Sequence, residues 1–385
     1  MRFSWLTVVT GMIIIGVTCL SAFSEEPENE SFSAAVGTTA TIHGEGFGND
    51  PGRGRVEIGG LPAPVVSWCD TQVDVVVPVI ATPHGRAVET TVRLTLGSGQ
   101  THEFAFTIVR GIVFGSSREG MQQIYVVNPD GTGVRRLTYS VDYAQFPELS
   151  PDGTMIAFQG YVNREGSLWV MDGDGSNLRR ILPEGSEAVC LTWAPDSKSI
   201  AFTRPDGFLY SMRLDGTEVA LVMEATGYLR FPSWSPDGRK IAVEQIYSAE
   251  RRSEIFILDL ETGERELLCE GMHPEWSPDG TQVVYDYPSD CGWSIFTVAA
   301  DGSNRTSLTC GAMDMYPTWS PDGKQIVFDS CFTRCGLHIM DSTGGNLRSL
   351  SLELAEATGR EYCPCWGGVA LGRDEAVPTQ ASTDH

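Results

Sequence analysis

The side chains best suited to chemistry are unevenly placed along the 385 residues. Nine of the 10 cysteines lie beyond residue 24, and the later ones are Cys269, Cys291, Cys310, Cys331, Cys335, Cys363 and Cys365. In an oxidising compartment such thiols are candidates for bridges. Cys269 and Cys310 occupy matching places before Pro274 and Pro317, and Cys291-Gly292 matches Cys335-Gly336. That register pairs Cys269 with Cys291 and Cys310 with Cys335, and leaves Cys331 to reach Cys363 or Cys365. Cys69 and Cys190 have no evident partner, and the odd total leaves at least one thiol unpaired. Zinc is the rival reading, disfavoured because no two short Cys pairs flank histidines at finger spacing.

Catalytic signatures are sparse. Gly115-Ser116-Ser117-Arg118-Glu119-Gly120 fails the nucleophile-elbow pattern, which needs one residue on either side of Ser between glycines. No phosphate loop appears. Asp172-Gly173-Asp174-Gly175 opens like a calcium loop but lacks the distal Glu. The expectation is therefore no cofactor, with calcium the weighed exception. Recognition chemistry is better represented. Tyr143, Tyr228, Arg230, His273, Met315 and Tyr316, with Phe146, Phe231, Arg360 and Tyr362, stand just ahead of a recurring β-type run. Aromatic residues with Arg are the types that dominate binding hot spots. Phe146, Phe231, Tyr316 and Tyr362 read as equivalent by register, so packing is their plainer role. Tyr228, Arg230 and His273 are less repetitive and make the sharper candidates. Arg251-Arg252 adds a cationic knob to an acidic chain.

A repeat positions these residues. Ser150-Pro151-Asp152-Gly153 returns as Ala194-Pro195-Asp196-Ser197, Ser235-Pro236-Asp237-Gly238, Ser277-Pro278-Asp279-Gly280 and Ser320-Pro321-Asp322-Gly323, at steps of 44, 41, 42 and 43 residues. Trp193, Trp234, Trp276 and Trp319 precede the later turns, and Trp366 marks a worn further copy. An apolar run follows each turn, from Ile156-Ala157-Phe158 to Ile326-Val327-Phe328, with an unpaired copy at Ile112-Val113-Phe114. A second β-type run then ends in an Asp-Gly type turn, which is hairpin chemistry. Four-stranded units of about 42 residues are the period of a β-propeller. Six copies of the apolar run predict six blades. The chain enters near Gly111 at a second strand and leaves with a first strand near Tyr362, so its two ends are expected to complete one blade together. Each recurring Trp, able to bury roughly 150 to 250 Å², reads as a wedge between blades.

The pattern Phe231-Pro232-Ser233-Trp234-Ser235-Pro236-Asp237-Gly238 followed by Ile241-Ala242-Val243 resembles the WD40-like repeat of TolB-type propellers, over residues 110–368. The resemblance implies a six-bladed ring, a secreted or periplasmic setting and protein binding at the ring mouth. Some lyases use such a ring with a cluster of metal-holding histidines. Here His273 and His338 are the only histidines of the repeat region.

Residues 32–109 read as short strands between Gly-rich turns, the pattern of a small β-sandwich. Gly46-Phe47-Gly48, Val56 to Gly60, Ala63 to Trp68 and Val75 to Pro78 are similar to the IPT/TIG immunoglobulin-like domain, which implies adhesion or packing rather than catalysis. Ahead of it, Arg2, an apolar run from Trp5 to Leu20 and small residues before Glu25 form the layout of a secretory signal cleaved after Ser24. A retained anchor and lipidation of Cys19 are the weaker alternatives, and no other stretch is apolar enough to span a membrane. The formal charge of -23 argues against nucleic acid.

The reading is all-β: a signal peptide at 1–24, a sandwich at 32–109, a six-bladed propeller at 110–368 and a disordered tail at 369–385. The expected function is an exported, monomeric, non-catalytic module that binds a protein or cell-envelope glycan through the propeller mouth, in the periplasm or outside the cell. A polysaccharide lyase or hydrolase using the funnel is the alternative.

Overall fold

The computed structural model describes residues 32–44, 46–82, 87–182, 186–310, 313–330, 336–350 and 361–365. The expected signal, the tail, Arg360, Trp366, Cys331 and Cys335 lie outside the described residues, as do the side chains of Tyr362 and Cys363. Every element described is a β-strand. No helix among these residues is long and apolar enough to cross a membrane.

The first unit is a sandwich of a five-stranded and a three-stranded sheet. Its strands alternate buried and half-buried positions, as in Gln72–Val76, and the inward Ile42, Val56, Ile58, Val73, Val75, Leu94 and Ile108 form one core. Two strands escaped the sequence reading. Phe32–Ala35 joins the sheet by parallel pairing with Thr101–Val109, and Leu61–Ala63 is a short edge.

Six four-stranded sheets follow. Blade 2 is built from Tyr143–Leu149, Met155–Val162, Glu165–Asp172 and Arg179–Arg180. Blades 3 to 6 begin with the inner strands Leu191–Trp193, Tyr228–Trp234, Met272–Trp276 and Asp314–Trp319. Blade 1 is shared by the chain ends: Ile112–Ser116, Gln123–Val127 and Arg135–Arg136 come from its start, and Glu361–Cys365 pairs antiparallel with Ile112–Ser116. The six inner strands contact one another in a closed cycle.

The repeated turn explains itself in hydrogen bonds. Ser150 Oγ donates to Asp152 Oδ1 at 2.7 Å and accepts from Met155 N at 2.9 Å, while Gly153 N donates to Ser150 O. Gly153 has φ 74°, a left-handed conformation that favours glycine. Second strands such as Ile156–Phe158, Ile200–Phe202 and Ile326–Phe328 are buried on both faces between blades. Trp193 and Trp319 wedge blades as expected: their Nε1 groups donate across to Glu148 O at 3.0 Å and Glu275 O at 3.4 Å in the preceding blade.

The sandwich docks on the turn-bearing face over blades 1 and 2. Buried Arg110 donates to the carbonyls of Ser150 and Pro151, and Thr82 N donates to Asp152 O at 2.9 Å. Asn128 Oδ1 accepts from Ala35 N at 2.8 Å and Thr38 Oγ1 at 3.1 Å. Gly37 is fixed by close approach, since a Cβ there would run into the carbonyl of Gly173.

The cysteine pairing differs from expectation. The bridge is Cys291–Cys310, with Cα atoms 5.3 Å apart, so neither Cys269–Cys291 nor Cys310–Cys335 forms. Cys269 is held within the fourth strand of blade 4, Arg265–Glu270, opposite Ile255. Burial there pushes its thiol up to about 11, against a hydrogen bond with Tyr285. The fourth strand of blade 5 spans only Thr306–Ser307, which leaves Cys310 in a loop within reach of the hairpin tip at Cys291. Cys69, Cys190 and Cys365 are free thiols.

Two outcomes are expected. Non-reducing peptide mapping should return Cys291 linked to Cys310, with half-buried Cys269 alkylated more slowly in the folded protein than exposed Cys69. Asn128→Ala should leave Ala35 N and Thr38 Oγ1 without their acceptor, cost about 1–3 kcal/mol and separate the melting of the sandwich from that of the propeller in calorimetry.

Candidate functional site

The inner strands are not regular ladders. In blades 2, 4, 5 and 6 the register with the second strand slips around an X-Pro pair: Phe146-Pro147, Phe231-Pro232, His273-Pro274 and Tyr316-Pro317. Pro cannot donate to the ladder, so a bulge is its natural place. The residue before each Pro is left-handed, with φ 50°, 45°, 48° and 54° respectively. That conformation is costly for a side chain with Cβ and persists only where surroundings enforce it. Part of the enforcement is visible. Glu244 and Asp286, buried on the second strands of blades 4 and 5, accept from the bulge amides of the next blade, His273 N at 3.5 Å and Tyr316 N at 3.1 Å.

The bulges turn four rings onto the axis. Phe146 and Phe231 come from non-neighbouring blades yet stand 5.3 Å apart edge to face, and Phe146 lies 6.3 Å from Tyr316. His273 closes the cluster, 4.3 Å from Phe231 and 4.0 Å from Tyr316. His273 Nδ1 also meets Asp286 Oδ1 at 2.7 Å. Burial alone would lower the imidazole pKa, but the Asp286 and Glu244 carboxylates override it and hold the ring above its ordinary value. His273 is thus a register equivalent of Phe231 and Tyr316, part of the plug rather than an irregular addition. Tyr362 stands one residue ahead of that position in its strand, which the bulge assigns to Cys363.

Beneath the plug lies an axial cavity of ≈ 100 Å³, bounded at its other end by the turn prolines Pro151, Pro195 and Pro236. Two carboxyls line it, Glu148 in blade 2 and Glu275 in blade 5, which stand opposite each other in a ring of six. Burial pushes Glu148 up to about 7, against a hydrogen bond from the Cys365 thiol at 3.3 Å. Burial and then the Glu148 charge push Glu275 up to about 8, against bonds to its Oε1 from Thr318 Oγ1 at 3.0 Å and Trp319 N at 3.2 Å. Sequence reasoning missed both. The available signal was a Glu where the same place in blades 3, 4 and 6 carries Thr192, Ser233 and Thr318.

The other sequence candidates lie toward the opposite end of the strands, on the face away from the sandwich. Tyr228 is exposed at the head of its strand, and Arg230 is exposed opposite Glu244. Tyr143 donates to Gln122 Oε1 at 2.7 Å and contacts Tyr161 edge to face. Met315 is half-buried opposite Asp329. Asp172 and Asp174 of the calcium-like loop accept from Asn177 Nδ2 and Ser176 N within their own turn. Among the described residues no three His, Cys, Asp or Glu side chains converge at metal-ligand spacing.

Residues 206–365 match the family model of the TolB beta propeller domain, and residues 24–108 match that of the IPT/TIG domain. The chain carries a TolB-like propeller behind an IPT/TIG-like domain. Curated relatives include a "Protein TolB homolog" from Chlorobium luteolum, 34% identical over 156 residues, which is 40% of this chain and 35% of that one. The chain thus spans about a third of the length of the curated relatives that it matches first. Among solved structures, TolB from Acinetobacter baumannii superposes with a TM-score of 0.58 at 16% identity, over 85% of this chain and 82% of that one. A putative TolB from Agrobacterium tumefaciens gives 0.50 at 20% identity, over 63% and 88%. These structural likenesses concern the fold.

The carboxyl pair in the TolB-like propeller makes stability depend on pH. Both groups have folded pKa values above the ordinary carboxylate value of about 4.3, so the native state holds protons that the unfolded chain releases. Their contribution is full below about pH 4.3 and is lost as pH rises through about 7 and 8. Relative to a Glu148→Gln/Glu275→Gln variant, wild-type stability should therefore fall between about pH 5 and 8, by up to about 1.4 kcal/mol per pH unit per group. Denaturant unfolding of both proteins across that range checks it.

Proposed function

We propose that the protein is an exported, non-catalytic recognition module whose TolB-like propeller docks a protein partner on the face opposite the sandwich. The observation that carries this reading is the placement of exposed apolar side chains. Met121, Tyr139, Tyr228 and Met313 are 64%, 68%, 52% and 42% exposed, and all stand in loops or strand ends of that one face, in blades 1, 4 and 6. Tyrosine and methionine are enriched in protein interfaces, and Met side chains adapt to apolar partners. Arg230 adds a cation beside Tyr228 on an otherwise acidic chain.

The turn-bearing face is partly covered by the sandwich, so the two ends of the ring have different tasks. An envelope setting, in the periplasm or outside the cell, follows the resemblance to TolB. His273, on which the hydrolase or lyase reading rests, is engaged by Asp286 and enclosed by Phe231 and Tyr316. That supports recognition over turnover.

A photo-crosslinking residue placed at Tyr228 or Met313 in the native host should give a discrete protein adduct, whereas one at Leu267, exposed on the outer strand of blade 4, should not. Arg230→Ala should lower the Tyr228 adduct several-fold. Adducts of equal yield at Leu267, or none at Tyr228 and Met313 in folded protein, would count against the reading.

A further inference from the structure

The axial cavity below the plug has a chemistry of its own. Prolines such as Pro147, Pro232, Pro274, Pro317 and Pro364 form part of its wall, and no Lys or Arg lines it. Glu148 and Glu275 face each other there across the axis. Their hydrogen-bond partners are few: the Cys365 thiol reaches Glu148 Oε2, and Thr318 and Trp319 share Glu275 Oε1. Among the described residues, nothing donates to Glu148 Oε1 or Glu275 Oε2. Two inward carboxyls that no Lys or Arg offsets, in a small space whose wall is part proline and tryptophan and part hydroxyl, set the charge and shape that a guest would need.

We propose that this cavity is a binding site for a short alkylammonium ion, its charged head hydrogen-bonded between Glu148 and Glu275 and its aliphatic stem against the prolines of the wall. An ammonium offers three donors on one compact cation, which matches the two free carboxyl oxygens and one further acceptor. A calcium ion fits less well. It takes six to eight oxygen ligands, while the hydroxyls at this level, Thr192 and Ser233, already accept from Trp234 N and Trp276 N. Fixing a cation between the carboxyls favours their ionised forms, so binding releases the protons that burial holds on them, and affinity rises with pH. Two thiols border the site, Cys365 on Glu148 and Cys190 in the wall, and burial raises both above their ordinary value and keeps them neutral. His273 also borders the cavity from the plug, but its charge is taken up by Asp286, to which its Nδ1 is bonded. The inference does not depend on what docks at the mouth.

The test is calorimetric titration of the full mature chain with n-butylammonium chloride at pH 6, 7 and 8.5, in two amine-free buffers of different ionisation enthalpy. Saturable one-to-one binding is expected, at least tenfold tighter at pH 8.5 than at pH 6, with net proton release at pH 7. Butan-1-ol, of similar size without charge, should not bind. Glu148→Gln/Glu275→Gln should weaken binding more than tenfold while keeping a cooperative melt. If that variant does not fold, the pH series and the alcohol comparison on wild-type protein decide. Absence of saturation on folded protein, binding unchanged in the folded double variant, equal binding of butan-1-ol, or calcium chloride displacing the amine at lower concentration would each overturn the proposal.

Discussion

Closure of the ring depends on one five-residue strand. Glu361–Cys365 pairs with Ile112–Ser116 and so makes the last inner strand a neighbour of the first. The contact is also made in side chains: Leu149 N donates to Cys365 Sγ at 3.4 Å, and that thiol donates to Glu148 Oε2. In an open stack an inner strand is placed by one neighbour, and its axial side chains have nothing opposite them. In a closed ring each is held from both sides. Phe146 can touch Phe231 and Tyr316 from separate blades, and Glu148 can raise the pKa of Glu275, only because the sheets converge on one axis.

Convergence has a local cost. Six strands meeting at an axis leave little room, and here the chain uses a bulge at X-Pro in most blades to aim one large ring inward. The left-handed backbone at Phe146, Phe231, His273 and Tyr316 is strained relative to an ordinary ladder. Carboxylates on neighbouring second strands offset part of that by accepting the bulge amides, as Asp286 does for Tyr316. The buried acids of blades 4 and 5 are therefore structural ligands of the backbone, and the raised pKa of His273 is a by-product of that arrangement.

Much of the fold was legible in the sequence, because a repeated Ser-Pro-Asp-Gly turn and a repeated Trp report geometry that every blade shares. The Oγ of Ser150 and the carboxylate of Asp152 make the same bonds as Ser235 with Asp237 and Ser320 with Asp322. What varied between blades was harder to read. Cys269 and Cys310 sit five and seven residues before their prolines, and that difference of two separates a thiol locked in a sheet from one in a loop. His273 stood out by residue type, although register makes it one ring among four. Glu148 and Glu275 were hidden for the opposite reason: a lone Glu after a Pro carries no signal of burial until closure places the two opposite each other. The parallel strand Phe32–Ala35 gave no alternation long enough to notice.

The plug divides the axis into two regions with opposite preferences. On the mouth side, Tyr228, Arg230 and Met313 offer exposed aromatic, cationic and thioether surface, which suits a large partner. On the turn side, the carboxyls and prolines form a confined acidic cavity too small for a folded partner. His273 belongs to both, since its ring is part of the plug and its Nδ1 is tied to a carboxylate that orders the neighbouring bulge. Substituting it would disturb the two regions together, whereas Tyr228 and Glu275 each touch only one. Physical separation by four rings thus lets the proposed mouth recognition and the proposed cavity binding be tested independently on one ring.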